Sequence, residues 1–129
     1  MMMFFAIALG GALGAVSRYG VTLAITGVYG AGFQPLATLM VNAVGSGAMG
    51  LCYGLLTTGM VLSDPLRGVI MVGFLGALTT FSSFALDAAV LVDKGQSGMA
   101  FGYVVASVVV SLGGFALMLW VVRTLASGQ

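Results

Sequence analysis

Four hydroxyl side chains occupy five positions of the stretch GFLGALTTFSSFALD (Gly73 to Asp87): Thr79, Thr80, Ser82 and Ser83, with Phe81 and Phe84 among them. Two further polar sets fall at helical spacing, Thr38–Asn42–Ser46 and Tyr103–Ser107–Ser111, and residues four apart share one face of a helix. The plain chemistry of such sets is hydrogen bonding between helices, worth roughly 0.6 kcal/mol per contact in a membrane, or a hydroxyl bonding back to the carbonyl four residues earlier. Asn42 asks for more, because its amide carries two donors and an acceptor. A second chemistry suits the same residues. Phe81 and Phe84 are one turn apart, and an aromatic ring edge carries partial positive charge. Beside the hydroxyls, ring edges turned into a polar path would meet a small anion.

The elements that hold these groups are membrane helices. The 129 residues are 60% hydrophobic and 5% charged, with a mean hydropathy of +1.19, whereas soluble domains carry roughly 25% charged residues. At about 20 residues per crossing, the length accommodates four spans and no soluble domain. Apolar runs punctuated by turn residues and charges place them at about 2–26, 35–62, 66–92 and 97–125. The first run lacks the basic leader of a signal peptide and reads as a retained span. Cys52 is the only cysteine, which excludes an intramolecular disulfide. It reads as a small buried apolar residue. There is no histidine, and Asp64, Asp87 and Asp93 are the only acidic side chains. That removes most acid–base, metalloenzyme and carboxylate-driven transport chemistry.

Orientation in a membrane follows Lys and Arg near the span ends. Arg67 and Arg123 fall on one side, Arg18 and Lys94 on the other. This even count fixes no single topology and favours insertion in both senses, with oppositely inserted chains pairing as an antiparallel dimer. Small residues four apart, Gly10 with Gly14 and Ser46 with Gly50 and Gly54, let helices approach closely and support an oligomer. The third span carries weak helix formers at its centre, Gly73, Gly76 and Thr79–Thr80. Gly76 to Thr80 lies about 15 to 21 Å along the axis from Leu66, near the bilayer centre. The segment is either an intact, glycine-softened helix or a helix broken at mid-membrane, as at known ion sites.

GALTTFSSF (Gly76 to Phe84), with GGALGAVSRY (Gly10 to Tyr19) and ATLMVNAVG (Ala37 to Gly45) before it, resembles the fluoride channel family called Fluc or CrcB across all four spans. The resemblance implies an all-α membrane protein forming one channel domain over residues 1–129, with the third helix broken near mid-membrane. It implies an antiparallel, dual-topology homodimer in the cell membrane with two fluoride pores. By that likeness Phe81 and Phe84 present ring edges to fluoride and Asn42 donates to it. Thr38, Ser82, Ser83, Tyr103, Ser107 and Ser111 match the polar lining, and Arg18 matches the vestibule arginine. A structural sodium ion would sit on the backbone carbonyls of Gly76 and Thr79. The implied partners are fluoride, lipid and a second copy of the chain, with no nucleic acid. The chain departs from the family pattern at Asp87, where glutamate is frequent, at Ala85 for serine and at Ala37 for glycine.

The chemistry agrees with the resemblance. A strongly hydrated anion needs donors in place of its water, and conduction requires that it also leave; no Lys or Arg lies at mid-span to hold it. A small dual-topology multidrug or cation antiporter is the alternative of similar length, but that mechanism resembles one needing a first-span glutamate, and this chain has no glutamate. A purely structural membrane subunit would leave the aligned polar stripes with no task beyond packing. No nucleophile–base pair or nucleotide-binding motif suggests an enzyme or a pump.

Overall fold

The computed structural model describes residues 1–128. Helices dominate: α1 (Met2–Tyr29), a single 3₁₀ turn (Ala31–Phe33), α2 (Gln34–Thr57), α3 (Asp64–Arg67), a π-helical stretch (Gly68–Leu75), α4 (Gly76–Leu78), α5 (Phe81–Asp93) and α6 (Ser97–Ser127). Four stretches are long and apolar enough to cross a membrane: Met2–Tyr29, Ala31–Thr57, Asp64–Asp93 and Ser97–Ser127. These match the four runs read from the sequence. The second ends earlier than Leu62, at Thr57, for a local reason. Gly59 has φ 105°, a conformation that costs glycine little. Its N–H bonds to the Leu56 carbonyl at 3.4 Å and that of Met60 to Leu55 at 3.0 Å. This is the Schellman arrangement that closes a helix. The same device ends α5 at Gly95 (φ 73°), with Gly95 bonded to Val92 at 2.8 Å and Gln96 to Leu91 at 2.9 Å.

Between α4 and α5 the backbone is extended, at Thr79 (φ −79°, ψ 153°) and Thr80 (φ −154°, ψ 123°). Before the pair the third span packs mainly against α1, and after it α5 packs against α6 and α2. Gly73 faces α1 so closely that an added Cβ would stand 2.7 Å from the Ile7 carbonyl oxygen. Gly10 and Gly14 face the backbone of Val69 and Phe74, while Gly50 and Gly54 face Phe115 and Val122 of α6. Gly10, Gly14, Gly50 and Gly54, which the sequence offered in support of an oligomer, are thus used within the chain. Their spacing carries no information about how chains pair.

Few side chains are buried. One apolar cluster joins Val41 to Leu75 and Leu78, and another joins Leu91, Ala100 and Tyr103. Large apolar residues such as Val16, Phe101, Leu112 and Trp120 face outward, as they must where lipid is the solvent.

Candidate functional site

The extended pair Thr79–Thr80 organises the site. Helix α5 begins just after it, and the Thr80 hydroxyl caps that helix by accepting from the Ser83 N–H at 3.2 Å, the usual service of a threonine before the first turn. The Thr80 peptide itself has no helical partner, and Asn42 of α2 supplies one. Asn42 Oδ1 accepts from the Thr80 N–H at 2.7 Å, and Asn42 Nδ2 donates to the Thr80 carbonyl at 3.0 Å. The side-chain amide therefore pairs with Thr80 as a neighbouring strand would. Buried backbone groups need such partners where water is absent.

Beside this pair lies a groove of about 450 Å³ between α2, the third span and α6. Its walls are Asn42, Ser46, Gly76, Thr79, Thr80, Phe81, Phe84, Ser107, Val108, Ser111 and Leu112. No charged side chain is among them. The Phe81 and Phe84 rings lie 5.4 Å apart, tilted at 48°, and Phe84 meets Tyr103 at 5.5 Å. Phe81 is 80% exposed while Ser107 is 4% exposed. Ser107 Oγ is buried without a hydrogen-bond partner. An orphaned hydroxyl of this kind normally costs the fold free energy, and this one lies next to the Tyr103 hydroxyl.

A second cavity, of about 200 Å³, lies on the other side of Thr80 and is lined by Ala15, Arg18, Tyr19, Thr22, Gln34, Thr38, Thr80 and Ser83. Arg18 Nη1 donates to Ser83 Oγ at 3.5 Å, and the Thr80 hydroxyl donates to the same oxygen at 3.2 Å. The Thr38 hydroxyl turns back to the Gln34 carbonyl at 3.4 Å. Thr80 lines both cavities, so the two meet at the extended pair. A third, outer cavity of about 700 Å³ contains Gln34, Asp87, Lys94, Gln96 and Tyr103.

The structure gathers most of the residues singled out from the sequence, but not all at one point. Asn42, Phe81, Phe84, Ser107 and Ser111 share the groove with Gly76 and Thr79. Thr38, Ser83 and Arg18 belong to the second cavity, and Tyr103 to the third. Ser82 lines none of the three; its Oγ lies 3.3 Å from the Thr80 hydroxyl on the exposed side. Asn42 was expected to donate into a pore, yet its acceptor and one donor are bound to Thr80, so one N–H remains for any other partner. Sequence reasoning missed two members. Ser46 belongs to the groove, as its place in the Thr38–Asn42–Ser46 stripe hinted. Gln34 has no sequence signal, because its partner Asp87 is 53 positions away.

Fold and site together define a multi-pass helical membrane protein with an uncharged, hydroxyl-lined groove at an extended pair of threonines. The chain belongs to the CrcB family: the family described as CrcB-like protein, Camphor Resistance (CrcB), matches residues 5–120. A protein of Rhodospirillum centenum named fluoride-specific ion channel FluC is 45% identical over 124 residues, 96% of this chain and 98% of the relative. Relatives of the same name from Saccharophagus degradans and Paracoccus denitrificans are 44% and 47% identical. Those matches cover 87% and 84% of this chain, and 83% and 85% of the relatives.

Proposed function

We propose that this chain is a subunit of a fluoride-selective channel in the cell membrane, which lets fluoride leave the cytoplasm passively. The observation that carries the reading is the groove wall of ring edges, amide and hydroxyls, with no charged side chain in it. Neutral donors can replace the water around a small anion without trapping it, as conduction demands. The names of the relatives agree. Transport of this kind involves no bond making, so the absence of a catalytic constellation is no obstacle.

The assembled channel is, on this reading, an antiparallel homodimer of oppositely inserted chains with two pores, and Thr79–Thr80 is a helix break near mid-membrane. A sodium ion fits that break. The Thr80 N–H goes to Asn42 and the Ser83 N–H to the Thr80 hydroxyl, so neither reaches the carbonyl four residues back, on Gly76 or Thr79. Hard cations take oxygen ligands, and two chains would offer four such carbonyls. When bound, sodium would supply positive charge that ties the two copies together.

Purified protein in liposomes loaded with fluoride and chloride tests the channel, with an electrode for each ion outside. Rapid fluoride release with negligible chloride release is the expected result. No release of either ion from folded protein would sink the reading. For sodium, purification in a large organic cation is expected to weaken the dimer, read as a shift toward monomer on size exclusion, and sodium is expected to restore it. A dimer indifferent to the exchange would remove sodium from the account.

A further inference from the structure

Asp87 is a carboxylate in a membrane-spanning segment, 4% exposed. Each of its oxygens has one donor: Gln34 Nε2 on Oδ1 at 3.2 Å and the Tyr103 hydroxyl on Oδ2 at 3.3 Å. Ion-binding chemistry needs donors with free protons, and a carboxylate competes for them. On its own helix the donor within reach is Ser83, four residues before Asp87 and on the same face of α5. Ser83 Oγ already accepts from Arg18 and from Thr80, so its own hydroxyl proton is uncommitted. It is thereby available to an anion in the Arg18 cavity. Gln34 lines both this cavity and the one that contains Asp87, and so stands between the carboxylate and the cavity.

We propose that Gln34 is a positioning residue: its amide holds the Asp87 carboxylate on Tyr103 and keeps it from Ser83, whose proton then stays free for the anion. The proposal rests on the channel reading above. Without the Gln34 amide, Oδ1 of Asp87 lacks a donor in a buried place, and the Ser83 hydroxyl is the donor its helix face offers. Anion and carboxylate then compete for one proton, and the buried negative charge moves toward the path. Three elements meet here: α2 through Gln34, α5 through Ser83 and Asp87, and α6 through Tyr103. Arg18 on α1 and Lys94 after α5 are the cations lining the adjoining cavities.

A double-mutant cycle in liposomes decides it, because coupling separates a positioning role from general damage. Gln34→Leu is expected to lower fluoride release about tenfold, the scale of one hydrogen bond to a charged group. In an Asp87→Asn background, where no charge needs holding, the same change is expected to cost less than about twofold. Gln34→Glu preserves the shape of the side chain but replaces the donor with an acceptor, and is expected to lose at least as much as Gln34→Leu. Combining Gln34→Glu with Asp87→Asn re-forms one charge-assisted bond with donor and acceptor exchanged, and is expected to recover release relative to Gln34→Glu alone. Thermal unfolding in detergent checks that each variant is folded and should show the same coupling. Additive effects in a conducting wild-type background would overturn the proposal and leave the channel reading standing. A wild-type protein that releases no fluoride would overturn the channel reading and, with it, the role given to Ser83.

Discussion

Replacing Asn42 with leucine is expected to destabilise the folded chain by about 3 kcal/mol and to lower fluoride release at least about a hundredfold. The reason is the double bond to Thr80, with Oδ1 on its N–H at 2.7 Å and Nδ2 on its carbonyl at 3.0 Å. Leucine fills similar space and offers neither group. Two backbone groups then lose their partners, each at a cost of about 1–3 kcal/mol. An alternative helical course for Thr80 would move Phe81 and Thr79, which line the groove beside Asn42. Asn42→Asp separates the contributions, since it keeps an acceptor for the Thr80 N–H and sets an oxygen against the Thr80 carbonyl. It is expected to retain part of the stability but not the flux. Thermal unfolding in detergent beside liposome efflux measures both quantities. Normal stability with flux abolished in Asn42→Leu would mean that this amide serves the ion and not the backbone.

The second large effect falls on Phe84. Its ring touches both Phe81 and Tyr103, at 5.4 and 5.5 Å between centroids, and lines the groove. Phe84→Ile preserves apolar bulk and removes the polarised ring edge. An aromatic contact is worth about 0.5–1.5 kcal/mol beyond its area. Fluoride release is therefore expected to drop between severalfold and about tenfold, and loss of both ring contacts is expected to cost the fold about 1–3 kcal/mol. Phe81 is 80% exposed in the single chain, so Phe81→Ile should barely disturb the fold of the subunit. Unchanged release from a folded Phe84→Ile variant would show that the ring edge does not meet the ion.

The four spans were legible because lipid imposes a simple demand: backbone groups must pair within the helix, and side chains facing lipid must be apolar. Hydropathy and turn residues therefore place α1, α2, the third span and α6 to within a few residues. The end of α2 at Thr57 was the largest miss. Its stop depends on the left-handed Gly59 and the bonds that follow from it, in a stretch that remains apolar to Leu62. Glycine spacing was legible as close approach but not as to what is approached. Gly10 and Gly50 meet the third span and α6 of the same chain, and sequence spacing is the same whether the facing helix is in one chain or another.

By itself the sequence determined a four-span membrane protein whose inner polar groups are almost all neutral, and the family motif at Gly76 to Phe84. These follow from composition and from contacts of short range, where helical geometry fixes which residues share a face. Only the tertiary structure decided that the Asn42 amide is joined to the Thr80 peptide, that Gln34 and Tyr103 share the two oxygens of Asp87, and that Ser107 is left without a partner. A polar side chain in a dry interior bonds to whatever donor or acceptor the packing of other helices brings within reach. That neighbour is set by how α2, α5 and α6 cross, and no spacing along one helix records it.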